Sequence, residues 1–183
     1  MKKILFIIGS MRKQSFNRQM SEIVKEKLNG KAEIKELAYS DLPYMNQDIE
    51  FPTPEVVARV RTEVKEADGI WIFTPEYNYS YPGVLKNLLD WLSRPYKAND
   101  FASGTAVLDK KVTISGIGGK FATAGVREKL KELLGFMKMN VMEETNGFTV
   151  NPEAWQSNVI SLSEEDKAKL YDQADKFMKF IEQ

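Results

Sequence analysis

Apolar residues follow two alternating rhythms along this chain. Short unbroken runs at residues 4–8 and at Gly69–Phe73 read as strands buried on both faces. Between such runs, apolar positions recur every three or four residues. Phe16, Met20, Ile23, Val24 and Leu28 predict a first helix, closed by Asn29 and Gly30. Residues 32–37 read as a shorter, more polar strand near an edge. Residues 39–53 form a loop with Pro43 and Pro52. Thr53 caps and Pro54 opens a second helix, whose buried face is Val56, Val57, Val60, Val64 and Ala67. A third helix follows Pro82, with Leu85, Leu88, Leu89 and Leu92 on one side. After a loop over 94–109, residues 111–116 give a fourth strand and 116–125 a glycine-rich loop. Val126, Leu130, Leu133, Leu134 and Met137 mark the next helix. A fifth strand begins at 139–142 and continues at 148–150. Ser163 and Asp166 start a last helix, striped by Leu170, Ala174, Phe177, Met178 and Ile181.

Strands and helices thus alternate strictly. That order predicts a doubly wound α/β fold, a five-stranded parallel sheet with helices on both faces. With right-handed crossovers, the strand order 2-1-3-4-5 fits five strands best. A length of 183 residues suits one domain over 1–183.

Composition narrows the chemistry. Lys and Arg total 26, and so do Asp and Glu, so net charge gives no argument for a nucleic-acid or membrane partner. The apolar run at 4–8 is too short for a secretion signal, and no run approaches the ~20 apolar residues of a membrane span. The expected location is cytoplasmic. Cys and His are both absent. A thiolate nucleophile, a disulfide framework, a Cys/His zinc site and imidazole catalysis are therefore excluded. No acidic pattern marks a hard-metal cage, so no metal is expected. A bound cofactor that carries the reaction itself suits this inventory.

Three loops are candidates to hold it, because ligands of open α/β sheets lie beyond the carboxyl ends of the strands. Residues 9–18 offer the Ser10 and Ser15 hydroxyls, the Asn17 amide and the Arg12 guanidinium at a helix start. Such a start accepts a phosphate through its free N–H groups and dipole. The alternative is an ordinary polar turn with Ser15 as helix cap. Residues 75–91 offer ring faces at Tyr77, Tyr79 and Tyr81, the Asn78 amide, and backbone N–H groups around 76–78. The alternative here is a loop fixed by Pro75 and Pro82 with packed tyrosines. In the following helix Trp91 lies off the leucine stripe, which suggests a partner helix and a homodimer. Glycines 116, 118, 119 and 125 allow close approach to a ligand, although glycine-rich turns of this kind are common. Arg127 reads most simply as solvating its helix.

Two motifs together carry a family resemblance. They are Gly9-Ser10-x-Arg12-x-x-Ser15-x-Asn17 and Pro75-Glu76-Tyr77-Asn78-x-Ser80-x-Pro82-Gly83-x-Leu85-Lys86-Asn87-x-x-Asp90-Trp91. The chain resembles the NAD(P)H-dependent FMN reductases, a family with quinone, chromate and azo-dye reductases. The match runs from residue 3 to about 150. One departure is Gln14, where many relatives have Gly. The resemblance implies a flavodoxin-like fold, a non-covalent FMN and homodimers or homotetramers with the 82–93 helix at an interface. It implies that Ser10, Arg12, Ser15 and Asn17 hold the FMN phosphate. Pro75, Glu76, Tyr77 and Asn78 would line the isoalloxazine ring, and Ser115 and Gly118 would border its other side. No side chain is implied as catalytic. NADPH or NADH would pass hydride to the flavin, and a small-molecule acceptor such as a quinone, azo compound, chromate or free flavin would take the electrons. Two other readings exist, a flavodoxin-type FMN electron carrier and a non-flavin α/β protein for another phosphorylated ligand. Carriers are usually strongly acidic, and this chain is neutral.

Overall fold

The computed structural model describes residues 1–183. Strands β1 (Lys2–Ile8), β2 (Ala32–Glu36), β3 (Gly69–Phe73) and β4 (Lys111–Gly118) run parallel in the order β2-β1-β3-β4, with the fifth strand position beyond β4. Helices α1 (Phe16–Lys27), α2 (Glu55–Glu66), α3 (Gly83–Leu92) and α4 (Ala124–Phe136) connect them. The second helix opens one residue later than expected, with Pro54 in the cap position and no side-chain cap.

The fifth strand is broken. β5 (Asn140–Val141) pairs with the start of β4, and β6 (Asn146–Thr149) with its end, both in parallel. Val112 and Ser115 of β4 face Val141 and Asn146, so the outer edge holds two residues more than its partner. Arg127 pins this bulge, donating from Nη1 to the Thr145 carbonyl at 2.9 Å and to its hydroxyl at 3.0 Å. Arg127 is thus a packing residue, and the expectation that it solvates its helix is corrected. Burial holds its pKa below the usual arginine value. Gly147 is required in β6, because a Cβ there would lie 1.9 Å from the Ala122 carbonyl. After the short helix α5 (Ala154–Ser157) comes α6 (Glu164–Glu182), where the Ser163 hydroxyl caps the Asp166 N–H at 3.1 Å.

Strand alternation sends side chains to two separate cores. Leu5, Ile7, Ile70, Ile72, Val112 and Ile114 meet α2, α3 and α4. Ile4, Phe6, Ile8, Trp71, Phe73 and Ile117 meet α1 and α6. The result is three layers, α/β/α.

A buried polar net crosses the second core. The Trp71 indole donates to Ser115 Oγ at 3.0 Å, and that hydroxyl donates to Gln173 Oε1 at 2.8 Å. Gln173 Nε2 in turn donates to Thr113 Oγ1 and the Ile114 carbonyl. Trp91 is also internal. It is fully buried and donates to the Pro43 carbonyl at 2.8 Å, so it offers no surface to a partner helix.

Candidate cofactor site

The loops after β1, β3 and β4 converge beyond the carboxyl ends of the strands. There they wall a cavity of about 260 Å³ lined by Ser10, Arg12, Ser15, Pro75, Tyr77 and Gly118, among others. A neighbouring cavity of about 300 Å³ shares Glu76 and Gly119 in its wall and is rimmed by Asn78, Tyr79 and Phe121. Tyr39 fixes the entry to the first loop. Its hydroxyl donates to the Ile8 carbonyl at 2.6 Å, and burial pushes its pKa well above the ordinary tyrosine value.

At one end of the cavity stand donors. Ser15 caps α1, its Oγ accepting the Arg18 N–H at 3.4 Å. Ser10 Oγ accepts the Arg12 N–H at 3.4 Å. In each case the hydroxyl keeps its own proton for another acceptor. The capping turn and the anion site are therefore compatible uses of one residue. The N–H groups of Phe16 and Asn17, first in α1, have no acceptor in the chain. The Arg12 guanidinium lies over the Phe16 ring at 4.9 Å. The Asn17 side chain is committed elsewhere. Its amide exchanges two hydrogen bonds of 3.0 Å with the Ile117 backbone, tying α1 to β4. Its backbone N–H, without an acceptor in the chain, is free to face a ligand.

The second loop is stiff. Tyr77 and Ser80 exchange backbone hydrogen bonds of 2.9 and 3.0 Å around Asn78 and Tyr79, whose φ values are 51° and 58°. This is the geometry of a type I′ turn, and Asn is among the few side chains at ease in it. The N–H groups of Glu76 and Asn78 remain without acceptors. Glu76 reaches across to α4, where its Oε2 accepts the Val126 N–H at 2.7 Å. Thr123, which precedes α4, makes no side-chain cap. A carboxylate from another loop thus caps this helix.

The third loop packs tightly. Ala122 and Thr123 hold φ values of 46° and 58°, a costly region for a β-branched residue. Gly116 makes room for them, since a Cβ there would lie 2.2 Å from Thr123 Oγ1. Ser115 does not line either cavity, because its side chain belongs to the Trp71–Gln173 net. Its expected place beside the ring is corrected. The strand pleat turns its side chain to the α6 face. Trp155, which also lines the cavity, had no sequence signal beyond being an isolated tryptophan in a polar stretch.

The donor set suits a phosphate at one end and a flat polar ring at the other, as FMN would present. No three His, Cys, Asp or Glu side chains gather as a metal site, and no helix is long and apolar enough to cross a membrane.

Comparison with known proteins agrees with this chemistry. The sequence model of the family described as NADPH-dependent FMN reductase matches residues 2–151. A quinone reductase of Pseudomonas putida is 35% identical over 176 residues, 96% of this chain and 88% of that protein. The solved flavoenzyme NAD(P)H:(acceptor) oxidoreductase FerB from Paracoccus denitrificans superposes with a TM-score of 0.86 at 28% identity, covering 100% of this chain and 98% of that one. An archaeal flavodoxin, 14% identical with a TM-score of 0.64 over 99% of each chain, shares the flavodoxin-like fold. The chain belongs to the NADPH-dependent FMN reductase family, and so to the oxidoreductases that use FMN with a reduced nicotinamide nucleotide.

Proposed function

We propose that this chain transfers electrons from NADPH or NADH, through FMN held in the cavity described above, to a small acceptor of the quinone class. The observation that carries the reading is the gathering of Ser10, Arg12, Ser15 and the free N–H groups of α1 at one end of a cavity. Its other end adjoins the Tyr79 and Phe121 rim. FMN bound there would supply the redox chemistry, hydride uptake from a nicotinamide and electron delivery to an acceptor.

The chain's own groups bind and orient. Ser10, Arg12 and Ser15 hold the phosphate by charge-assisted hydrogen bonds, with the dipole of α1 behind them. Asn17 contributes its backbone N–H, while its side chain keeps α1 in register with β4. Pro75, Tyr77 and Gly118 border the ring, and the free N–H groups of Glu76 and Asn78 favour added negative charge on it. Tyr79 and Phe121, half-exposed and 5.9 Å apart, give a flat acceptor an aromatic rim. The quinone class is favoured by the Pseudomonas relative's activity. Azo compounds, chromate and free flavin are further acceptors to assay.

The same reading makes the chain a single FMN-binding domain over 1–183 that works in the cytoplasm, where reduced nicotinamides are supplied. It also makes it a homodimer or homotetramer joined through the 82–93 helix. The exposed Val84 supports that interface, in place of the buried Trp91. Sedimentation measures the assembly state.

Steady-state assays with NADPH and a benzoquinone test the reaction. Two half-reactions at one site give parallel double-reciprocal lines. Absence of FMN-dependent quinone reduction would contradict the proposal.

A further inference from the structure

Past residue 151, where the family match ends, the chain folds back over the phosphate loop. Gln19 of α1 holds this segment by its backbone. Its Nε2 donates to the Asn158 carbonyl at 2.8 Å, and its Oε1 accepts the Ile160 N–H at 3.0 Å. Asn151 closes the segment by accepting the Ser161 N–H at 2.8 Å, and Ala154 is fully buried beneath it. The segment is therefore anchored, yet two of its side chains face outward to the cavity end. Trp155 is 61% exposed, whereas Trp71 and Trp91 are fully buried. It packs edge-on against Phe16 at 5.4 Å and lines the cavity beside Ser15 and Arg12. Asn158 accepts a hydrogen bond from Arg12 Nη2 through its side-chain oxygen.

An exposed tryptophan costs hydration, and it commonly signals a surface that something covers. The amide of Asn158 is also informative. A carboxylate there would neutralise Arg12, whereas a neutral oxygen orients the guanidinium and leaves its charge for an anion. Only one nitrogen of the fork is used in this bond, and the Phe16 ring supports the other face.

We propose that residues 151–161 form the outer wall of the FMN site, with Asn158 positioning Arg12 for the phosphate and Trp155 covering that end of the cavity. This rests on the FMN reading above. Asn158 sits at φ 60°, so Asn158→Gly keeps the backbone at ease while deleting the amide. A residue that merely capped α5 would tolerate that change.

The test is calorimetric titration of the apoprotein with FMN and with riboflavin, which lacks the phosphate. Asn158→Gly raises the FMN Kd about five- to tenfold and leaves the riboflavin Kd within about twofold, the scale of one charge-assisted hydrogen bond. In an Arg12→Ala background the same change adds less than about twofold. Trp155→Ala weakens FMN at least about fivefold, and Trp155→Phe, which keeps the packing on Phe16, stays within about threefold. The proposal is overturned if Asn158→Gly leaves FMN affinity unchanged, or weakens riboflavin equally, or if Trp155→Ala has no effect. Parent protein that binds no FMN overturns the cofactor reading itself, and this inference with it.

Discussion

Glu76 Oε2 accepts the backbone N–H of Val126 at 2.7 Å, across 50 residues of sequence. That bond joins the stiff turn after β3 to the start of α4. It fixes the spacing of the two loops that border the cavities. Glu76 is thus read as a structural clamp at the site. A carboxylate oxygen at a helix N-terminus also meets the favourable end of the helix dipole.

Removing the clamp loosens both loops. Glu76→Ala raises the FMN Kd about tenfold, or about 1.4 kcal/mol. Glu76→Gln keeps an oxygen acceptor and loses less. Titration calorimetry reads both, and unchanged affinity in the alanine variant would remove Glu76 from this role.

Arg12 is the guanidinium that lines the donor end of the cavity. Arg12→Ala weakens FMN binding by about 1.5–3 kcal/mol and riboflavin far less. Equal losses for the two ligands would place the arginine elsewhere than on the phosphate.

Ser115 gives the opposite pattern. Ser115→Ala strands the Trp71 indole N–H and breaks the link to Gln173, lowering unfolding stability by about 1–3 kcal/mol. FMN affinity stays within about twofold of the parent. Denaturant melts and titration together check this, and the reverse result would restore Ser115 to the ring.

The strands, the helices and the two principal loops were legible because each rests on local pattern. Runs such as residues 4–8 can only be buried, and the Ser and Arg content of 9–18 declares its donors. What was not legible depends on facing direction and distant partners. Ser115 and Gly116 are adjacent, and only the pleat decides which face each meets. Trp91 lies off the leucine stripe and so suggests a partner helix, but its indole is held inside the chain by the Pro43 carbonyl, 48 residues away. The fifth strand was expected as one strand in two stretches of sequence. Its break follows from Arg127 and Thr145, a contact no periodicity contains. Trp155 reaches the cavity, and Asn158 reaches Arg12, through a fold-back held by Gln19, far off in sequence.

Acid stability has an identifiable contributor at the opposite end of the sheet. Asp68 accepts the Lys3 N–H at 2.7 Å, and this bond, aided by the charge of Lys2, holds its carboxyl below the usual range. A depressed folded-state pKa stabilises the protein above the unfolded value of about 3.9 and is lost as pH falls through the folded one. The parent therefore loses more stability than Asp68→Asn does as pH falls below the unfolded value of about 3.9. Urea melts across that window measure the difference, and parallel curves would discount Asp68.

The hydride half-reaction is the most direct test of the proposed activity. FMN-loaded protein is mixed anaerobically with NADPH, and then with NADH, while its visible spectrum is followed. Bleaching of the flavin band near ~450 nm within seconds is the expected result, with colour returning when a benzoquinone is added. A bound flavin that stays oxidised with both nucleotides would contradict it and identify an FMN carrier without a nicotinamide site.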